Sequence, residues 1–409
     1  MSARTESASA PPLSRNRNYH VLWGSQLVSE LVGQLGLIAF PLVVLVATGS
    51  APRMGAVAAV IAAAGMAANV PAGVLVDRYD RKRVMLVCQC VRAVAMTGLV
   101  VALSSGHFSF AVVLPVAVAE GVLGAAFDPA EHAALPQVVP ESQLSEAVAR
   151  NTVRRYIATL LGPAGAGFLF AVDPVAPFAV AAALLVVSCV VLCFLRLPRR
   201  EPAPRGEGGG AAMLLDGFRW VLGHRVIRTT LVWLMCCELF VSALIIVVLA
   251  ASGEDDAASG ELGVIMIGFG AGGLLGAAVA GRLHAALPAS AVIVGFPWVG
   301  AALTLVLALV PTGVLSGVVL GGIAFLIPTA FTTVMTYQIT VSPDELRGRL
   351  SGVVGLFAGG AGAIGPLVGG LLMADGDSRG SLLIWCACLA VVAVGTTLSP
   401  TLRRFPTLR

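Results

Sequence analysis

Long apolar runs alternate with short charged or turn-rich breaks along nearly the whole chain. Runs of about 20 residues are long enough to cross a hydrocarbon core as helices. They predict twelve spans, at 20–47, 55–75, 84–104, 109–130, 148–171, 175–195, 229–250, 260–282, 289–310, 313–337, 348–373 and 381–399. The runs are rich in Ala, Gly, Val and Leu, which suits helices that pack closely through small residues. A membrane-spanning barrel would instead show alternating segments of about ten residues. The pattern predicts an all-α membrane protein.

Composition agrees. The chain is 57% apolar and 12% charged, with a mean hydropathy of +0.92, whereas a soluble domain carries about 25% charged residues. The distribution of charge adds an orientation. With the N-terminus inside, the tails and cytoplasmic loops hold 23 of the 26 Lys and Arg. Arg53 and Arg379 fall outside and Arg92 lies within a helix, while the opposite face carries Glu254, Asp255, Asp256, Asp375 and Asp377. This asymmetry predicts a multi-pass protein of the cell membrane with both termini in the cytoplasm.

The breaks give the organisation. Residues 1–18 are polar and lack the apolar core of a signal peptide, which predicts a disordered cytoplasmic tail. Residues 19–195 hold six spans and 229–400 hold six more, with a tail at 401–409. Between the halves, Arg196 to Gly210 reads as a flexible linker. Leu214, Phe218, Val221 and Leu222 then follow at helical spacing, as in an amphipathic helix lying on the cytoplasmic surface. The halves look duplicated. Gly162-Pro163 recurs as Gly365-Pro366 and Pro140-Glu141 as Pro343-Asp344, each 203 residues later, and Arg282 answers Arg78 at 204.

The break between spans 2 and 3, Gly73 to Arg83, reads GVLVDRYDRKR. It resembles motif A of the major facilitator superfamily, G-x-L-x-D-R-x-G-R-R. Gly73, Leu75, Asp77, Arg78, Arg81 and Lys82 fit, and Asp80 stands where the wider superfamily has Gly. Several further stretches resemble the proton-linked drug-exporter branch, with its macrolide efflux pumps and siderophore exporters. They are SExxGQ in helix 1, Arg92 in helix 3, FDPAxxAALPxVVP, AVARNxVR, GPxxxG in helix 5, and PDELRGRLSG before helix 11. Helix 3 departs from that branch in having Gln89 where an acid is frequent, and the helix 5 motif ends in Ala166-Gly167. The resemblance implies the major facilitator fold, twelve transmembrane helices in two six-helix halves related by an axis along the membrane normal. It also implies proton-coupled efflux of a hydrophobic or amphipathic small molecule by alternating access, and a monomer. Uptake of a small solute and a non-transporting sensor on the same fold are the alternatives.

Charges inside the bilayer mark candidate sites, because insertion scales put Arg or Asp at a helix centre at about +2.5 to +3.5 kcal/mol each. Glu30, Arg92, Glu120, Asp128 and Glu238 remain once the loops are set aside, and Gln34 lies one turn from Glu30 on the same face. Glu30 and Glu238 sit in helices 1 and 7, the first of each half, which in this fold line the central cavity. A carboxylate facing an apolar cavity can load and release protons as access alternates. Glu30 is the leading candidate for that role and Glu238 the next. Arg92 keeps its proton and should sit against an acid. Glu120 and Asp128 are candidates for the cavity, for a structural pair with Arg92, or for a helix-end cap; the structural reading is favoured for Asp128 by its place near the cytoplasmic end of helix 4.

Two further groups are mechanical. The Gly73, Asp77, Arg78, Asp80, Arg81 and Lys82 hairpin is a candidate cytoplasmic gate that braces the halves when the other side is open. Pro163 and Pro366 bend their helices, while Gly162, Gly167, Gly365 and Gly370 allow close approach. The resemblance associates the helix 5 version with antiport; ordinary small-residue packing is the alternative.

Other classes fit poorly. There is no G-x-x-x-x-G-K-[ST] for nucleotide-driven pumping, and the glycines of Leu262 to Gly276 lie in an apolar span with no strand before them. The five His are scattered singly and the eight Cys lie in predicted helices without metal-ligand spacing. Neither an enzyme, a metal, a cofactor nor a nucleic-acid partner is expected. The expected partners are a small-molecule substrate, protons and the lipid bilayer.

Overall fold

The computed structural model describes residues 13–106, 108–197, 219, 221–254, 259–310, 313–341, 344–403 and 405. Six long helices precede the linker: α1 Arg17–Thr48, α2 Ala51–Arg78, α3 Arg81–Ser104, α4 Phe110–Val138, α5 Glu141–Val172 and α6 Ala176–Cys193. Six follow it: α7 Arg225–Glu254, α8 Ser259–Ala286, α9 Ala289–Leu309, α10 Val314–Val341, α11 Asp344–Leu372 and α12 Ser378–Leu398, with a short α13 at Pro400–Arg403. All twelve long helices of the described residues contain stretches long and apolar enough to cross a membrane. Their ends obey local rules. Asn16, Ser50, Asp80 and Asp377 accept a backbone N–H as N-caps of α1, α2, α3 and α12. Gly49, at φ 61°, ends α1 in the left-handed region and turns the chain into α2.

The two halves repeat one packing scheme. α1 packs on α5 as α7 packs on α11, α2 on α4 as α8 on α10, and α3 on α6 as α9 on α12. The halves meet along α2–α11 and α5–α8, again a matched pair. Crossing an even number of times puts both ends of the chain on one face, here called the terminus face.

Buried side chains show how the two faces differ. Away from the termini a single core runs through both halves, from Val32, Met54 and Phe178 to Ile246, Ile323 and Trp385. At the terminus face there are two separate cores. One holds Tyr19, Met85, Phe127 and Leu192 of the first half, the other Leu231, Phe296, Val334 and Val353 of the second. The bundle is therefore closed on the far face and parted on the terminus face.

Glycines make the closed side possible. A Cβ on Gly55 would run into the Pro366 carbonyl, and one on Gly370 would lie 3.0 Å from the Gly55 Cα. Within the halves, Gly268 and Gly272 of α8 meet Gly317 and Gly321 of α10 backbone to backbone. Such contacts gain dispersion energy that side-chain burial in lipid does not supply.

Helices extend past the expected spans. α4 runs to Val138 rather than 130 and α5 starts at Glu141, so only Val139 and Pro140 separate them. The polar stretch expected as a connection forms the first turns of α5, and Arg150, Arg154 and Arg155, counted as loop residues, are helical. Polar residues leave the apolar window without leaving the helix, since backbone hydrogen bonding continues beyond hydrocarbon. The N-terminal tail is also shorter than expected. Leu13–Arg15 form a 3-10 turn with Leu13 buried, and residues 1–12 lie outside the described ones. Phe405 of the C-terminal tail packs on Tyr337, ring centroids 4.5 Å apart. Most of the expected linker and surface helix lies outside the described residues; Val221 is buried in the second half's terminus-face core.

Replacing Gly55 by Val should force α2 from α11 and open the far face. Overpacking costs about 1–3 kcal/mol, and about 1.4 kcal/mol is a tenfold change in an equilibrium. A cysteine at the buried Ala51 should then react with a water-soluble maleimide about tenfold faster in the purified Gly55→Val protein. Unchanged labelling would show that this contact does not hold the seam.

Candidate functional site

A cavity of about 680 Å³ lies between the halves, walled by α1, α2, α4, α5, α7, α8, α10 and α11. Most of its lining is apolar, including Ile38, Met66, Phe269 and Phe331, with Gln34, Asn69, Asp128 and Glu238 as its principal polar side chains. A smaller cleft of about 230 Å³ adjoins it through Gln34, Ile61 and Asp128 and is lined by Ser29, Glu30, Arg92, Glu120 and Arg155. The polar chemistry thus collects in the first half.

Arg92 and Glu120 form one buried unit. Arg92 Nε donates to Glu120 Oε2 at 3.0 Å and Nη2 donates to Oε1 of the same carboxylate. Nη1 donates to Ser29 Oγ at 2.7 Å and to Gln89 Oε1 at 3.2 Å. Gln89 Nε2 in turn donates to Ser188 Oγ at 3.1 Å. With Arg92 1% and Glu120 5% exposed, the pair has lost most of its water, and a bidentate bond with further acceptors is what compensates that loss. Gln89, where an acid is frequent in the resembling branch, accepts from Arg92 without adding a second negative charge. The unit joins α1, α3, α4 and α6.

Glu30 belongs to a second cluster. Arg154 Nε and Nη2 donate to its two oxygens at 3.2 and 3.4 Å, and Arg155 Nε lies 3.9 Å away. Arg154 also faces Glu131, with Nη1 3.6 Å from Oε1, and donates to Asn151 at 3.2 Å. One guanidinium is shared by two carboxylates. Glu131 is fully buried, and neither of its oxygens has a hydrogen bond among the described residues. Glu131 was missed because the expected helix 4 stopped at residue 130, and Arg154, inside the expected span 148–171, was counted with the loop charges instead of the intramembrane ones. The signal for Glu131 was its spacing of three from Asp128, in a helical pattern that continues through Ala134 and Leu135.

Asp128 sits on α4 between Glu120 and Glu131. It lies ten residues before the end of α4, so it caps nothing, and its side chain opens to both cavities. Arg92, Arg154, Arg155 and His132 are the positive or titratable groups around it. Glu238, on α7, faces the main cavity from the second half. Among the described residues its carboxylate has no hydrogen bond, and no charged group compensates it. The Gly362 backbone passes beside it, since a Cβ there would lie 3.7 Å from Glu238 Oε1.

The glycine-proline stretches hold the cavity walls. Gly162 abuts the Gln34 side chain of α1, while Gly365 abuts Ser242 and the Leu239 carbonyl of α7. Pro163 and Pro366 both line the cavity, Gly167 is buried, and Gly370 lies in the α2–α11 seam. In the hairpin, Asp80 caps α3, Arg81 donates to the Ala133 carbonyl of α4, and Lys82 Nζ donates to Cys193 O at 2.8 Å and Leu195 O at 2.7 Å. These cations sit on the carbonyl ends of α4 and α6, where they also complement the helix dipoles. Arg78 is exposed, Gly73 has open space beside it, and the Asp77 side chain lies outside the described ones.

A polar-edged apolar cavity between two matched six-helix halves, closed on one face, defines a transporter of the major facilitator class. The chain belongs to the transmembrane secretion effector family, whose sequence signature matches residues 7–405. It is 27% identical over 388 residues to the multidrug efflux pump Tap of Mycobacterium tuberculosis, covering 88% of each chain. It is 25% identical over 374 residues to the enterobactin exporter EntS of Escherichia coli, again covering 88% of each. In fold it matches a crystal structure of the nucleoside transporter NupG, with a TM-score of 0.76 and 11% identity over 92% of this chain and 98% of that one. It also matches an inward-facing bacterial homologue of the lysosomal transporter Spinster, with a TM-score of 0.72 and 13% identity over 93% and 96%. The protein is a transporter and not an enzyme.

Removing one partner of a buried ion pair costs about 3–5 kcal/mol, whereas replacing both by apolar residues is frequently neutral. Arg92→Met and Glu120→Leu should each lower the thermal unfolding midpoint in detergent markedly. The double variant should recover most of the loss; a double variant as unstable as either single one would contradict the pairing.

Proposed function

We propose that this protein is a proton-coupled exporter, an antiporter that moves a hydrophobic or amphipathic small molecule by alternating access. It works as a monomer in the cell membrane with both termini in the cytoplasm. The observation that carries this reading is Glu238, an uncompensated carboxylate in an apolar cavity that is closed on the far face. The names of the relatives, a multidrug pump and a siderophore exporter, support the direction. The concentration of Lys and Arg toward the terminus face supports the orientation.

The physics of coupling follows from charge. In the form closed on the far face, water from the terminus side reaches the cavity and can solvate Glu238. Sealing a bare carboxylate into an apolar cavity costs several kcal/mol. The cavity therefore changes access readily only when Glu238 holds either a proton or the polar part of a substrate. Exclusive occupancy of one carboxylate by those two ligands gives exchange. Asp128 offers a second acceptor on the opposite wall. Glu30 acts one step back: its hold on Arg154 competes with Glu131 for the same guanidinium, so a proton arriving on Glu30 would release Arg154 toward Glu131. When the terminus face closes, the exposed Arg78 is the arm able to reach the second half, while Arg81 and Lys82 keep the first half's helix ends together.

Everted vesicles holding a pH gradient provide the test, with ethidium, tetraphenylphosphonium, a macrolide and a catecholate siderophore added in turn. The native protein should release protons in response to one or more of these compounds, Glu238→Gln should abolish that release, and Glu30→Gln should retain it at a reduced rate. Loss in Glu30→Gln with retention in Glu238→Gln would move the coupling site to Glu30. No response to any compound would favour uptake over efflux.

A further inference from the structure

A second cavity, of about 540 Å³, lies beside the central one on the outer side of α7 and α11, with α12 as its third wall. Its lining has no charged side chain. The floor is aromatic and buried: Phe240 and Trp385 stack with centroids 6.0 Å apart and planes 7° from parallel, and Trp385 Nε1 donates to the Phe240 carbonyl at 3.1 Å. The rim is exposed, formed by Val232, Leu356, Ile364 and Cys388. In a membrane that rim faces hydrocarbon.

The wall between the two cavities is thin. α11 presents Gly359, Gly362 and Pro366 to the central cavity and Leu356, Gly360 and Ile364 to the outer one. Met66 of α2 lines both cavities. It lies against the glycines: a Cβ on Gly359 would be 3.4 Å from Met66 Cγ, and one on Gly360 would be 3.7 Å from Met66 Sδ. On the terminus side of this contact the halves have separate cores, so Met66 stands near the fork where α2 and α11 part. An unbranched thioether with three rotatable bonds can swing aside with little strain.

We propose that the outer cavity is a membrane-facing docking site for the apolar part of a transported amphiphile, and that Met66 is the gate through which the molecule passes between α2 and α11 into the central cavity. The proposal rests on the transport reading above and names the chemistry of its substrate. The occupant is set by complementarity across Met66. A hydrocarbon or aromatic tail suits the outer pocket, and the polar head of the same molecule finds Gln34, Asn69 and Glu238 on the other side. A membrane lipid's acyl chain would fill the outer pocket alone.

Trp385 supplies the measurement. In a protein with Trp23, Trp220, Trp233 and Trp298 replaced by Phe, vesicles of phosphatidylcholine with brominated acyl chains should quench Trp385, because lipid fills the pocket at rest. Dodecyltriphenylphosphonium, a tailed cation, should relieve that quenching, and tetramethylammonium should not. Cys388→Phe, which fills the mouth from an exposed position, should remove both the quenching and its relief, while Cys388→Ser leaves both. Met66→Phe should leave the relief intact but slow export of the tailed cation at least fivefold. Quenching that persists at saturating tailed cation means that only lipid occupies the pocket, and overturns the site. Export by Met66→Phe at the native rate overturns the gate. Export in the same vesicles reports separately on the transport reading: relief without any export removes that reading and leaves the site standing.

Discussion

Lipid tails are as apolar as leucine, so covering leucine with leucine gives membrane helices little reason to associate. Beyond the shared core and the α5–α8 contact, the halves meet backbone to backbone at Gly55 against Pro366 and Gly370, with Ala51 and Met66 extending this α2–α11 seam along α2. Side-chain-free contact of this kind is short-ranged. It is either made or lost. The same seam sits beside the central cavity, since Pro366 and Met66 both line it. A change at the joint is therefore felt where a substrate would bind.

Electrostatics divides the molecule unevenly. The first half holds two buried ion clusters, Arg92 with Glu120 and Arg154 with Glu30 and Glu131. The first is saturated: its arginine satisfies the carboxylate twice and has hydroxyl and amide acceptors left over. In the second, Arg154 is shared between Glu30 and Glu131, with Arg155 3.9 Å from Glu30 and His132 3.4 Å from Glu131. Fully satisfied buried networks fix geometry. To the cavity the second half contributes the opposite character: among the described residues, Glu238 is its one acid there, in an apolar wall. Duplication gave the scaffold its symmetry, and charge broke it.

The hairpin between α2 and α3 ties helix ends of the first half together. With the terminus face parted, Arg81 and Lys82 are bound to carbonyls of their own half at the ends of α4 and α6. Two of the charges that mark the motif are thus already employed in holding helix ends together, and Arg78 is exposed.

The sequence by itself determined the class, the twelve spans and the duplication, because apolar run length and the spacing of Gly-Pro pairs are local properties that lipid forces to be legible. It also marked Arg92 as needing an acid, since a fixed charge in hydrocarbon must be met. It could not say which acid, because Glu120 and Asp128 lie eight residues apart on one helix and only packing decides that Glu120 meets Arg92 while Asp128 faces the cavity. Glu131 was hidden for a related reason: polar residues at the end of an apolar run look like a loop until tertiary contact shows that the helix continues. The closed far face, the parted terminus face and the outer pocket behind α11 were decided by tertiary structure alone. They depend on which glycine of α2 meets which carbonyl of α11, and contacts between residues some 300 positions apart leave no periodicity in the chain.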